Sequence, residues 1–147
     1  MGTQSEIRLH PIGRVISPVK YPASGVRWAE VISTIEIDPH WEEGLDGIEL
    51  FSHILVIFWF HLSEGKPLLK VHPRGDPTRP LRGVFSTRAP VRPNRIGVTV
   101  VKLLRREGNR LQVQGLDAFD GTPVLDIKPY FPQEEDDGNA PPWVRGG

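Results

Sequence analysis

The chain has 147 residues, 38% hydrophobic and 24% charged, with 18 basic side chains balanced by 18 acidic ones. That length sets a single domain able to bury a real core, and a net charge of +0 excludes a protein that coats nucleic acid by charge alone. The absence of cysteine excludes a disulfide framework and any thiolate ligand or nucleophile.

In chain order, most of the sequence reads as short strands. Ile12 to Ile16 is a strand ended by Ser17-Pro18, and Trp28 to Ile37 is a second, with Val31, Ser33, Ile35 and Ile37 on one face. Asp38-Pro39 has the form of a helix N-cap followed by proline in the first turn, so a short helix over Pro39 to Glu43 is expected before Gly44. Phe51 to His61 is apolar on both faces and predicts a central strand buried on both sides. No apolar run reaches membrane-spanning length, the longest being Ile54 to Phe60. Ser63 to Leu81, rich in proline and glycine, predicts a long excursion, and Gly83 to Thr87 a further strand. Ile96 to Leu104 and Arg110 to Gly115 flank Glu107-Gly108-Asn109 as a hairpin, and Asp120-Gly121 is a tight turn into Val124 to Ile127. Strands at this spacing with one brief helix point to a mainly β barrel or sandwich. From Phe131 the composition changes to an acidic run, Glu134 to Asp137, and a Pro141-Pro142 pair, which predicts a flexible tail in which Trp143-Val144 alone is suited to dock. The N-terminus lacks the pattern of a secretory signal, so a cytoplasmic location is expected.

Charge is distributed unevenly. Seven acids and no Lys or Arg lie between Glu30 and Glu49, whereas eight basic residues between Lys66 and Arg95 face one acid, Asp76. Such a segment reads either as a phosphate-facing surface or as a solvated face balanced by the acidic one. The segment Phe85-Ser86-Thr87-Arg88-Ala89-Pro90-Val91-Arg92-Pro93-Asn94-Arg95-Ile96-Gly97 is stiffened by two prolines and carries guanidinium groups, which suits holding an anion. Leu116 to Pro123 offers Asp117 and Asp120 instead, so the two loops together suit a ligand bearing both charges. Phe60-His61 is placed to wall a pocket at a strand end. His53 and His61 are not joined by a carboxylate or cysteine cluster, so no metal site is expected. Asp126 and Lys128, two apart, form either a surface pair or one wall of a cleft. No glycine-rich phosphate loop or nucleophile elbow is present.

Four segments carry a likeness to a known family: Ile12 to Pro18, Gly47 to His61, Gly83 to Gly97 and Leu116 to Tyr130. In these the chain resembles the TsaA-like, TrmO-type tRNA methyltransferases. The resemblance implies a small β-barrel, S-adenosyl-L-methionine as cofactor, a homodimer and tRNA as partner; with the composition change at Phe131 this sets the barrel domain over residues 1–130 and the tail over 131–147, and the residue readings above add no membrane and no metal. It implies methylation at N6 of threonylcarbamoyladenosine beside the anticodon. It also implies cofactor contacts at Ala23, Ser24, Gly25, Phe60, His61, Arg88, Val98, Leu116, Asp117 and Asp120. Asp126 or His61 is the expected proton acceptor, and Arg92, Lys128 and Tyr130 the expected RNA contacts. Alternatives from other classes are a module that holds the cofactor without transferring its methyl group and a methyltransferase for a non-RNA acceptor. Arg95 departs from the family motif, which has proline there, and is expected to loosen the loop and add charge.

Overall fold

The computed structural model describes residues 5–132 and 138–144. Six antiparallel strands close into a barrel: β1 (Gly13–Ile16), β2 (Ile32–Ile37), β3 (His53–Trp59), β6 (Ile96–Glu107), β7 (Arg110–Gln114) and β8 (Pro123–Pro129), in the order β1-β2-β7-β6-β3-β8. Closure removes the exposed edges an open sheet of this size would leave. A separate two-stranded ribbon, β4 (Lys70–Val71) and β5 (Arg82–Gly83), lies within the excursion between β3 and β6. No described helix is long and apolar enough to cross a membrane.

Alternation along each strand sends one face inward. Ile54, Val56 and Phe58 of β3 meet Ile35 and Ile37 of β2, and Leu111 and Val113 of β7, in a single core. The face expected on β2 is the buried one, although Trp28–Glu30 is a separate 3₁₀ turn rather than the start of that strand. The expected short helix is a 3₁₀ helix over Pro39–Leu45, and Asp38 accepts the His40 amide at 2.9 Å as its cap. Gly108 (φ 60°) and Gly121 (φ 84°) turn the chain where the sequence places turns.

Two expectations are corrected. β3 is buried on one face only: Leu55, Ile57 and Trp59 point outward and are half-exposed, because the barrel has a single interior. Gly83 to Thr87 is not a strand. β5 ends at Gly83, and the Thr87 amide and hydroxyl both bond the Val84 carbonyl (3.1 and 2.9 Å), which curls Val84–Ser86 into a 3₁₀ turn.

Gly97 of β6 faces Phe58 across the register. A Cβ there would lie 2.7 Å from the Phe60 ring and 2.8 Å from the Phe58 ring. Gly97→Ala is expected to destabilise the fold by about 1–3 kcal/mol through overpacking, read as a lower urea midpoint with an unchanged slope.

Candidate functional site

Antiparallel pairing fixes which connections share an end. β1, β3 and β7 finish, and β2, β6 and β8 begin, at the same rim of the barrel. Three connections therefore meet there: 17–31 after β1, 60–95 after β3, and 115–122 after β7. All the expected cofactor residues except Val98 lie in these three connections, though they come from distant parts of the sequence.

The first and third connections are stitched together. Asp120 Oδ1 accepts the Ser17 amide at 2.9 Å, the Asp120 amide donates to the Val19 carbonyl at 2.8 Å, and the Gly121 amide to the Val15 carbonyl at 2.8 Å. Trp28 sets its edge against Phe119, with centroids 5.5 Å apart. Ala23, Ser24 and Gly25 are left exposed at the tip, with Gly25 in the left-handed region. Leu116 and Ala118 plug the barrel mouth, so Leu116 has only its backbone to offer a ligand. Between them Asp117 turns outward and accepts the Thr99 hydroxyl.

His61 lies just past β3, its Nδ1 3.3 Å from the Thr122 hydroxyl and its Nε2 3.8 Å from where a Cβ on Gly121 would sit. The buried Thr122 hydroxyl donates to the Phe119 carbonyl at 2.7 Å, so the hydroxyl oxygen is turned to accept from an Nδ1–H of His61. That tautomer leaves Nε2 as the acceptor. Thr122 was not legible as a site residue beforehand; a hydroxyl directly after an Asp-Gly turn is the only signal the sequence holds for it.

Five of the eight cations of the excursion have partners in the fold, Arg82 through the Leu81 carbonyl at 3.1 Å. Arg95 donates to the Ser63 and Gly65 carbonyls, Arg92 to those of Thr87 (3.0 Å) and Ala89 (2.9 Å), and Arg74 to those of Trp143 (3.2 Å) and Val144 (2.6 Å). Arg79 pairs with Asp76 at 3.4 Å, and the Thr78 hydroxyl and amide hold the Asp76 carboxyl below its ordinary range. Arg95 thus tightens the loop that its replacement of proline is expected to loosen. The expected docking of Trp143-Val144 takes the form of this clamp by Arg74, whereas the acidic run 134–137 lies outside the described residues. Among the described residues of the excursion, the side chains of Lys66, Lys70 and Arg88 are exposed and make no hydrogen bond or ion pair.

The remaining expected residues stand apart from this rim. Val98, Ile57 and Asp126 are neighbours on the outer wall of β6, β3 and β8. Asp126 pairs with Lys128 at 3.1 Å and caps its neighbour's amide, and Tyr130 sets its ring edge on His53 at the opposite end of β3. With strands rising ~3.3 Å per residue, Tyr130 and His61 are separated by nearly the full height of the barrel. Of the two expected proton acceptors, only His61 is at the rim. No group of three or more His, Cys, Asp or Glu suited to a metal occurs among the described residues.

Residues 16–136 match the model of the tRNA-methyltransferase O N-terminal domain. The chain belongs to this family. An S-adenosyl-L-methionine-binding protein of Archaeoglobus fulgidus is 45% identical over 129 residues, covering 85% of this chain and 90% of that protein. A protein of Methanothermobacter thermautotrophicus named "Probable S-adenosyl-L-methionine-binding protein" is 52% identical over 130 residues, covering 86% and 91%. The crystal structure of TrmO from Pseudomonas aeruginosa matches with a TM-score of 0.74 at 35% identity, covering 93% of this chain and 62% of that one. The chain thus spans about three fifths of the solved TrmO chain.

Asp120→Ala leaves the Ser17 amide without its acceptor. The expected cost is about 1–3 kcal/mol, with faster amide exchange at Ser17 and Val19 than across β3 as the local signature.

Proposed function

We propose that this protein is an S-adenosyl-L-methionine-dependent methyltransferase that acts in the cytoplasm on N6 of threonylcarbamoyladenosine beside the anticodon of a tRNA. The observation that carries this reading is that the three connections holding residues 23–25, 60–61 and 88, and 116–120 all leave and re-enter the barrel at one rim. Charge supports it. The basic excursion leaves and re-enters at that rim, whereas the acidic connection 38–52 joins β2 to β3 at the opposite end. A polyanion is therefore steered toward the rim despite a net charge of +0.

The donor set fits the cofactor. A zwitterionic methionine end needs a cation and an anion, and the connections that meet at the rim carry Arg88 and Asp117, both exposed. The adenine needs an apolar wall, for which Phe60 and Phe119 are half-exposed. When bound, S-adenosylmethionine supplies an electrophilic methyl group on a sulfonium centre. The chain's own part is to hold the acceptor nitrogen in line and to take its proton at His61 Nε2, the free nitrogen of a ring fixed by Thr122. Asp126, paired with Lys128 on the outer wall, has no such part. Likewise the first RNA contacts are assigned to Lys66, Lys70 and Arg82 of the excursion. Arg92 is spent on loop carbonyls, and Lys128 and Tyr130 lie toward the far end of β8.

The protein acts as a homodimer in this reading. On the outer wall Ile96, Val98 and Val100 are 37%, 43% and 43% exposed beside Leu55 and Ile57, a contiguous apolar strip where alternation would put polar residues in a lone barrel. Burying that strip against a second copy would carry Val98 into the neighbourhood of a cofactor that no single protomer's rim brings it near.

Two measurements test these roles. His61→Gln is expected to lower kcat by about 10²-fold or more with calorimetric affinity for S-adenosylmethionine little changed, and Asp126→Asn to leave kcat near that of the unaltered protein. The reverse pattern would move the proton acceptor to Asp126. Val98→Glu is expected to convert a sedimenting dimer to monomer and to weaken cofactor binding with it; a monomeric unaltered protein, or a Val98→Glu dimer, refutes the interface. Binding of the cofactor without transfer to any RNA would favour a binding module.

A further inference from the structure

Phe85 is the most exposed aromatic residue for which the structure provides a rigid mounting. The residue is 75% exposed, against 45% for Phe131, and the other phenylalanines each meet another aromatic ring. The backbone beneath it is fixed: Val84 is buried, its amide donates to the Leu69 carbonyl at 2.9 Å, and Thr87 closes the turn on the Val84 carbonyl. One side of the ring is supported by Arg92, whose guanidinium carbon lies 6.0 Å from the ring centroid and whose Nη1 is held by two loop carbonyls. Exposed cations surround it in sequence and register. Arg82 and Arg88 are three residues away on either side, and Lys70 pairs with Gly83 across the ribbon. The two acids between 62 and 95 are Glu64 and Asp76, and Asp76 is occupied by Thr78 and Arg79.

A flat apolar face held rigid, with cations as its neighbours in sequence and register, matches the chemistry of an unpaired nucleotide: a base to stack and a phosphate to neutralise. The geometry points to Phe85 as a base-stacking platform for a single-stranded nucleotide of the RNA acceptor, with Lys70 and Arg82 taking the flanking phosphates. This rests on the proposed RNA substrate and adds the place where an unpaired base is held. Duplex RNA, whose bases are stacked on each other, gains nothing from the ring.

The test compares the full chain with Phe85→Ala and Phe85→Trp, using a synthetic hairpin RNA with an unpaired loop, a blunt duplex of similar composition, and S-adenosylmethionine. Phe85→Ala is expected to bind the hairpin about tenfold more weakly, with the same salt slope and with duplex binding and cofactor affinity unchanged. Phe85→Trp is expected to restore hairpin binding, and its added indole fluorescence to be quenched by the hairpin and not by the cofactor. Lys70→Ala is expected to reduce the salt slope by about one on both RNAs. Equal hairpin binding by Phe85→Ala and the unaltered protein overturns the platform while leaving the proposed activity standing. Loss of cofactor affinity instead would place Phe85 in the cofactor wall, and loss of the dimer would place it between copies; either outcome overturns it too. An unaltered protein that binds neither RNA overturns the platform together with the RNA substrate.

Discussion

The candidate site depends on how the barrel closes. β1 is only four residues long and meets β8 at Gly13↔Val124 and Arg14↔Pro123, and Pro123 has no amide to give that seam. The seam is completed from beyond the strands: Val15 donates to the Thr122 carbonyl, Gly121 to Val15, Asp120 to Val19, and Ser17 to the Asp120 carboxylate. These bonds close the barrel and also bind the 17–31 and 115–122 connections to each other. The constraint that finishes the fold therefore also assembles the rim. Gly13 is part of the same constraint, since a Cβ there would sit 2.3 Å from the Glu36 carbonyl oxygen and hold β1 off β2.

With the rim set, the third connection supplies the charge. Its rigidity comes from arginines turned onto backbone carbonyls rather than from surface ion pairs, which contribute little in water. Arg74, Arg92 and Arg95 each satisfy carbonyls that no strand ladder reaches. His72 does the same from its Nδ1, which must carry the proton to donate to the Arg79 carbonyl at 2.6 Å. An irregular segment of this length is thereby held in shape, and its remaining cations stand in solvent. The local charge is not lowered by this, since a carbonyl acceptor leaves a guanidinium its charge and Asp76 is the one acid that pairs within the segment; what the bonds use up is the freedom of those side chains to reach a partner.

What could be read from the sequence was local. Asp38-Pro39, the turn at Gly108 and the Asp120-Gly121 turn are each fixed by one or two residues' own backbone preferences, and each stands where the sequence places it. The inner face of β2 was legible because it alternates. The double burial expected for Phe51 to His61 failed for an instructive reason: its outer residues are apolar as a core strand's are, yet they face outward on a barrel wall. That mismatch between pattern and environment is the main physical support for a second protomer. Gly83 to Thr87 has strand-forming residues, but the Thr87 hydroxyl supplies a competing local partner. His61 was legible as a site residue and its orientation was not, because Thr122 lies 61 residues away in the chain. The partners of Arg92 and Arg95 are equally invisible to any pattern, being carbonyls.

The central claim is that the rim transfers a methyl group to a tRNA adenosine. The direct measurement is incubation of the purified protein with methyl-labelled S-adenosylmethionine and total tRNA from cells lacking any relative of it, followed by digestion and identification of the labelled nucleoside. Label in N6-methylated threonylcarbamoyladenosine is the predicted result. Label in another nucleoside would keep the methyltransferase and contradict the site of methylation, and unlabelled RNA from a protein shown to bind the cofactor would contradict the claim.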